Sequence, residues 1–232
     1  MKHIINIVVI IFFSFTTNMY GQKEPSAKEK YKDFAILHLD SLKKNGALIV
    51  ILKSKSRAVE AYEKAGNTKI AEEMMNNIKK QNRYLYKSYI AFWKFCPVFF
   101  IYAKDLDDFN KGKRTNIFVD STYNINNDIT MNLPFYIFNE FGTYYEVQNK
   151  DHDYAPGKWK NTNYENYDPS TGIPVKSDCI VVKDKLMRQY RFPFPNYVQN
   201  WGSLPGMKKA VDNLNNRFKT AFEKGFDINA AF

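Results

Sequence analysis

The chain has 232 residues and lacks the motifs that most directly identify an enzyme class. Its two cysteines, Cys96 and Cys179, belong to no Cys-x-x-Cys pair, and no His/Cys grouping has zinc-ligand spacing. Neither a Gly-x-Gly-x-x-Gly nor a P-loop sequence follows an apolar run. These absences exclude a dithiol redox motif, a zinc site of standard spacing and a nucleotide loop recognisable by its glycines. No motif requires a cofactor, and we expect none.

The two cysteines leave two interpretations open. In an oxidising compartment Cys96 and Cys179 can form one disulfide bond, and each stands at the start of an apolar run. If those runs are neighbouring parallel strands, both thiols lie at the same end of the sheet. The other interpretation, which we favour, is two buried thiols that pack as small apolar side chains.

The chain also lacks an apolar run of the roughly 20 residues that a transmembrane helix requires. Its first 21 residues instead follow the order of a secretory signal peptide: a short basic start, an apolar stretch over 4–15 and a more polar stretch that ends at Gly21. We expect cleavage after Gly21 and export to the periplasm or the cell exterior. The membrane would be a partner only through an uncleaved signal segment.

Three parts of the chain follow from this boundary. Residues 1–21 are the predicted signal peptide, and 22–26 form a short polar leader that we expect to be mobile. Residues 27–232 have the length of a single domain. Within that domain, 144–172 is rich in Tyr, Asn, Asp, Gly and Pro, which is typical of turns and hairpins rather than core.

Acidic residues are in the minority. The chain has 34 Lys and Arg against 24 Asp and Glu, which gives a net charge of +10. Such an excess attracts anionic surfaces in general and does not determine a fold. Because an exported protein does not meet nucleic acid in the cell, we expect no nucleic-acid partner. A glycan, a peptide or another anionic ligand is the partner class that the charge and the aromatic content favour.

The most informative pattern is a pair of apolar runs, 47–52 and 97–103, separated by a long helical periodicity. It predicts a β-α-β unit and therefore parallel pairing between two buried strands. Shorter strand patterns follow at 117–120, 135–140, 143–148 (as an antiparallel extension) and 180–183, and helical patterns begin at Ala27 and near residue 206. We predict an α/β fold with a mixed, mainly parallel sheet, helices on both faces and a Tyr/Asn-rich hairpin insertion.

Each predicted strand is followed by a charged residue: Lys53, Asp105, Asp120, Glu140 and Asp184. In open α/β sheets ligands bind beyond the carboxyl ends of the strands. If all strands are parallel, Asp105, Asp120 and Glu140 converge and could bind a hard cation or act as acid and base. If some strands are antiparallel, these residues scatter and serve only as turn and cap residues, which is the interpretation we favour.

Two further stretches are candidate binding sites. Lys53, Lys55 and Arg57 surround the start of a predicted helix, where free backbone N–H groups suit an anion, although a solvated basic turn is the simpler interpretation. In the insertion, Tyr154, Trp159 and Tyr167 could form a platform for a sugar or a peptide, or simply a hairpin with packed aromatics.

The histidines offer less. Asp151, His152 and Asp153 are adjacent in the chain, so their side chains alternate in direction, and we expect no metal site there. His38 lies on or beside the apolar stripe of the first helix, where we expect a packed residue rather than a catalytic one.

Four stretches carry a resemblance: 46–50, the Phe-Cys-Pro-Val-Phe-Phe run at 95–100, the Asn-Glu-Phe-Gly-Thr run at 139–143 and the Pro-aromatic segment 191–198. In these the chain resembles a family of small exported proteins of Bacteroidetes-type bacteria with no assigned activity. The resemblance implies export and supplies no catalytic residues. We therefore expect a non-catalytic binding or structural protein, with a metal-assisted hydrolase as the alternative.

Overall fold

The structure, a computed structural model, describes residues 27–146, 173–191, 193–199 and 203–226. The predicted signal peptide and leader lie outside the described residues, as do residues 147–172 of the insertion. None of the described helices combines the length and the apolar content that a membrane crossing requires.

The described chain is a mixed α/β structure, as predicted. The helices are α1 (Ala27–Asn45), α2 (Arg57–Lys64), α3 (Thr68–Phe92), α4 (Leu106–Asn110) and α5 (Leu204–Lys224). The strands are β1 (Gly46–Leu52), β2 (Val98–Tyr102), β3 (Phe135–Glu146), β4 (Ile173–Lys183) and β5 (Tyr197–Gln199). They form one sheet in the order β2-β1-β3-β4-β5.

The pairing of the strands corrects one part of the prediction. β1 pairs with β2 and with β3 in parallel, whereas β3–β4 and β4–β5 are antiparallel. Parallel pairing is therefore half of the total and does not dominate the sheet. The predicted extension at 143–148 is also wrong, because β3 continues in one direction to Glu146. β4 supplies its antiparallel partner, with register shifts after Gly142.

β1 lies at the centre of the structure, and all seven of its residues are buried. Its side chains alternate between two apolar clusters, which explains why the run contains no polar residue. Leu48, Val50 and Leu52 face the first cluster, and Ala47, Ile49 and Ile51 face the second.

The first cluster contains the long helices. Three helices pack on this face of the sheet. α1 contributes Leu39 and Leu42, α3 contributes Leu85 and Tyr89, and α5 contributes a row of side chains. That row consists of Met207, Ala210, Val211, Leu214 and Phe218. The two helices that the periodicities predicted, α3 and α5, thus contribute to the main core, although Ile70 of α3 and Phe222 of α5 are exposed.

The second cluster is covered differently. The connection from β2 to β3 runs across this face and contributes Phe109, Phe118 and Met131, with α4 as its only helix. The expectation of helices on both faces is therefore wrong for the long helices, all of which lie on one side. The reason is local sequence: residues 110–134 are rich in Asn, Asp, Thr and Lys with one glycine, and such residues favour turns over helix.

The two outer strands of the sheet are short or covered. β5 has three residues and overlaps the end of the Pro-aromatic segment 191–198. Along β2, Phe118 forms an antiparallel bridge with Ile101, and the Val119 N–H donates to the Phe100 carbonyl at 2.9 Å. The predicted strand at 117–120 is reduced to this short contact.

Candidate functional site

The end of the sheet at which β1, β2 and β3 finish is here called the carboxyl end, and the opposite end the amino end. After β1 the chain passes to α2 and α3 on the helical face, and after β2 it crosses the other face to reach β3 on the far side of β1. The connections after β1 and β2 thus cross opposite faces of the sheet. In an open sheet of this kind the expected ligand position lies between the ends of β1 and β3, and this position is called the crevice below.

The loop that lines this crevice, 53–56, is fixed by a buried amide. Asn82 of α3 is 6 % exposed. Its Nδ2 donates to the Lys53 carbonyl at 2.8 Å, and its Oδ1 accepts from the Lys53 N–H at 2.9 Å. Ser54 Oγ accepts from the Lys104 N–H at 2.9 Å, which joins the loop after β1 to the turn after β2. The backbone at the crevice is therefore held in place by α3 and by the neighbouring strand end.

The side chain of Lys53 lies over the crevice. Its Nζ is 5.0 Å from the centre of the Phe141 ring, a distance typical of cation–π contact. Partial burial lowers the pKa of the Lys53 ammonium, and the carboxylates of Asp178 and Glu140 act in the opposite direction. The amine is thus within electrostatic range of one acid from β3 and one from β4.

Those two acids differ in their surroundings. Glu140 forms an ion pair with Lys183 across the β3–β4 ladder, so its charge is already compensated. Asp178 is exposed, has a φ of 55° and lies where the register of the ladder shifts. A residue in the left-handed region at a ladder irregularity redirects its side chain, and Asp tolerates this conformation better than most residues.

The remaining predicted cations are arranged as a capped helix start. Lys55 pairs with Glu63 of α2. Ser56 is the N-cap of α2, and its side chain accepts from the Val59 N–H at 3.3 Å. Arg57 is exposed at the first position of α2. Lys53, Lys55 and Arg57 therefore share one loop, and Lys55 is engaged by an acid of its own helix.

The three predicted catalytic carboxylates occupy different surroundings. Asp105 and Asp120 both lie near the Tyr102 hydroxyl, whose pKa is raised first by burial and then by these two acids. Asp120 is partly exposed and accepts from the N–H and the hydroxyl of Thr122 at 2.8 and 2.6 Å, which lowers its pKa. Glu140 interacts with Lys183 instead.

No three His, Cys, Asp or Glu side chains in the described ranges form a group that could hold a metal ion. Asp120 has the turn-forming role that was the simpler interpretation. Asp105 is unusual in one respect: its Oδ2 is buried and has no hydrogen-bond partner within the described part of the chain.

The cysteines lie at opposite ends of the sheet. Cys96 precedes β2 at the amino end, whereas Cys179 pairs with Gly142 near the carboxyl end, because β4 is antiparallel to β3. They are not bonded to each other, so the structure supports the interpretation as separate thiols. Burial raises the pKa of the Cys96 thiol to about 12, which makes it unreactive at neutral pH.

The amino end contains a second polar group, which includes His38, the residue expected to be packed rather than catalytic. His38 Nδ1 lies 2.6 Å from the Tyr190 hydroxyl. Asp184, expected with the other strand ends, lies here because β4 runs in reverse, and its carboxylate binds the guanidinium of Arg188. Its Oδ1 also accepts from the N–H groups of Leu186 and Arg188, both at 2.9 Å.

A surface cavity of about 320 Å³ opens between α2 and α3. Thr68, Ala71 and Met75 line it together with charged and amide side chains of both helices. Among these, Glu63 is already paired with Lys55. The cavity therefore adjoins the loop after β1 through Glu63, and its other charged lining residues are one acid, Glu72, and one base, Lys79.

Sequence reasoning missed two contributors to the crevice. Asn82 occupies a position on α3 where an amide resembles a surface residue, and only its distance from Lys53 in the folded chain reveals its role. Asp178 comes just before the apolar run that begins at Cys179 or Ile180, and the run does not indicate that Asp178 lies at a ladder irregularity. The platform residues Tyr154, Trp159 and Tyr167 and the candidate metal group at 151–153 lie outside the described residues.

Comparison with known proteins adds no relative: no family model, no curated protein and no solved structure matches the chain. The functional argument therefore depends on the geometry of this chain alone.

Proposed function

We propose that the protein is an exported, non-catalytic binding protein that holds an anionic glycan or peptide at the carboxyl end of its sheet. The strand order β2-β1-β3 carries the proposal, because in an open sheet of this order the expected ligand position lies between the ends of β1 and β3, where Lys53 lies over Phe141. Export remains a prediction from the first 21 residues.

The direction of β3 and β4 supports the same location. Both strands extend beyond the level of Ile51 in β1, so β3 ends and β4 begins at the carboxyl end. Tyr154, Trp159 and Tyr167 belong to the chain segment that joins these two strand ends, and we propose that they act together with Lys53 and Arg57. A ligand that bridges the two would use aromatic area from one and positive charge from the other.

The hydrolase alternative has less support. It requires Asp105, Asp120 and Glu140 within reach of one ion, and Glu140 is engaged by Lys183 while Asp120 closes a turn. A binding function needs no such convergence.

The proposal is tested by thermal unfolding of the purified protein with a panel of anionic glycans, acidic peptides and divalent metal salts. A ligand that binds only the folded chain at 100 times its Kd stabilises it by about 2.7 kcal/mol, so its midpoint rises. We expect an anionic glycan or peptide to raise the midpoint, and Lys53→Met to reduce that rise by at least half. Lys53→Met keeps the apolar stem over Phe141 and removes only the charge.

Lys87→Met is the matched control, because Lys87 is exposed on α3 and remote in sequence from the crevice loop. An equal ligand response in Lys53→Met and Lys87→Met would contradict the proposed location. A response to divalent metal alone, lost in Asp105→Asn, would favour the hydrolase.

A further inference from the structure

We propose that the packing of α1 against the sheet is an acid-sensitive contact, which opens when the His38 imidazole takes up a proton. This proposal concerns the amino end of the sheet and is independent of any ligand. It follows from how His38 is enclosed by aromatic rings and from the small number of side chains that the described part of α1 buries.

His38 is enclosed by aromatic rings from three parts of the chain. The centre of its ring lies 3.9 Å from that of Phe34 in α1, 5.1 Å from Phe135 at the start of β3 and 5.8 Å from Tyr190. Tyr190 in turn stacks on Phe194 with ring centres 4.0 Å apart. The imidazole is therefore the junction between α1, the sheet and the segment that follows β4.

One hydrogen bond completes this junction. The Tyr190 hydroxyl is 2.6 Å from His38 Nδ1. Burial raises the pKa of Tyr190 well above its usual value, so the hydroxyl keeps its proton, which it can donate to an unprotonated Nδ1. Once His38 is protonated, Nδ1 is a donor, and the Tyr190 hydroxyl has to rotate so that its oxygen accepts.

Three charged side chains act on His38. Burial is the main influence and lowers its pKa to about 4, Asp184 raises it, and Lys185 and Arg188 lower it. Asp184 is itself committed to Arg188, with its Oδ2 2.6 Å from the Arg188 Nε. A proton on His38 therefore meets an ion pair whose charges already compensate each other, together with one further cation, Lys185.

α1 is the long helix that this change would release. Its fully buried side chains are Ala35, Leu39 and Leu42, whereas α5 buries seven residues. The outer face of α1 carries Ile36 and Leu37, which are exposed and contribute nothing to its attachment. The two hydrogen bonds between the Tyr31 hydroxyl and the Arg191 backbone join α1 to the same segment that carries Tyr190.

The sign of the pH effect follows from the direction of the His38 shift. Its ordinary pKa of 6.5 applies when α1 is detached, and the value of about 4 applies when α1 is packed. The packed state therefore has its full stability above pH 6.5 and loses it as the pH falls toward 4. The ring is partly accessible to solvent, which reduces the size of the effect. We expect the protection of α1 amides against exchange to fall by about tenfold between pH 7 and pH 5.

Hydrogen–deuterium exchange of the purified protein at pH 7 and pH 5, expressed as protection factors, tests this. We expect the tenfold loss over Ala35–Leu42 in the wild type and less than a twofold change in His38→Phe, which keeps a ring in the aromatic enclosure. His152→Phe removes a histidine elsewhere in the chain and should retain the wild-type loss.

Two results would overturn the proposal. One is an equal pH response of α1 in His38→Phe and wild type, and the other is a loss of protection in α5 as large as that in α1, which would indicate global unfolding. If His38→Phe does not fold, the NMR titration of His38 in the wild type decides: titration at or above pH 6.5 refutes the proposal, and titration near pH 4 supports it.

Discussion

The two ends of the sheet hold polar residues in opposite ways. At the carboxyl end, Lys53, Asp178 and Glu140 are partly exposed around a crevice, and the buried Asn82 holds the backbone beneath them. At the amino end, His38 and Tyr190 are enclosed by aromatic rings. The same parallel strands therefore end in an open, charged site and begin in a closed, aromatic one. We propose ligand binding at the first end and sensitivity to protonation at the second.

The glycines of the two ends give the sharpest test of this contrast. A Cβ on Gly46, at the amino end, would lie 2.6 Å from the Leu42 Cα, because α1 passes into β1 without a connecting residue. Gly142, at the carboxyl end, has no atom within 4 Å of the equivalent position. We expect Gly46→Ala to lower the free energy of unfolding by about 3 kcal/mol, the upper part of the range for overpacking.

Gly142→Ala serves as the matched control for that change, and its effect should stay within about 0.5 kcal/mol. Both values come from urea unfolding at pH 7. If the two glycine variants were equally destabilised, the amino end would not be the tighter of the two.

The amide beneath the crevice provides the next largest effect. Asn82→Ala leaves both the N–H and the carbonyl of Lys53 without their partner, and we expect a loss of about 2 kcal/mol in the free energy of unfolding. Exchange of the amides over 53–56 should increase as well. Asn77→Ala, on the exposed face of the same helix, is the control and should change neither quantity.

The smallest of these effects concerns the ion pairs at the two ends, whose contributions to the free energy of unfolding should differ by the least. The Asp184 side chain is 9 % exposed and also accepts two backbone hydrogen bonds, whereas the Glu140 and Lys183 side chains are 39 % and 23 % exposed. We expect Asp184→Asn to cost about 1.5 kcal/mol and Glu140→Gln about 0.5 kcal/mol at pH 7. A larger loss for Glu140→Gln, measured by urea unfolding, would mean that the carboxyl end depends on this pair for its stability.

The central elements of the fold could be predicted because their residues are buried on every side. The run 47–52 admits only a fully covered strand, and the helical patterns that follow led to α3 and α5. The direction of β4 could not be predicted, because β4 pairs with β3 across the long segment 147–172, and an apolar run reads the same for either direction.

Part of the candidate site could also be predicted from a fully buried strand. Lys53 follows a strand whose end was clear, so its place at the carboxyl end could be read from the run before it. Asp184 follows an equally clear strand, but the reversal of β4 carries it to the amino end beside His38. The cover of the second face was also missed, because residues such as Phe118 and Met131 are spaced irregularly along a turn-rich segment.

The short and covered outer strands have a consequence for the behaviour of the chain at high concentration. A long exposed strand offers its unpaired N–H and C=O groups to another molecule and so promotes edge-to-edge aggregation. Here one outer strand ends after three residues, and the Phe118 bridge occupies part of the other. Removal of that bridge, more than any change at the crevice, would offer β2 as a template on which further copies could polymerise.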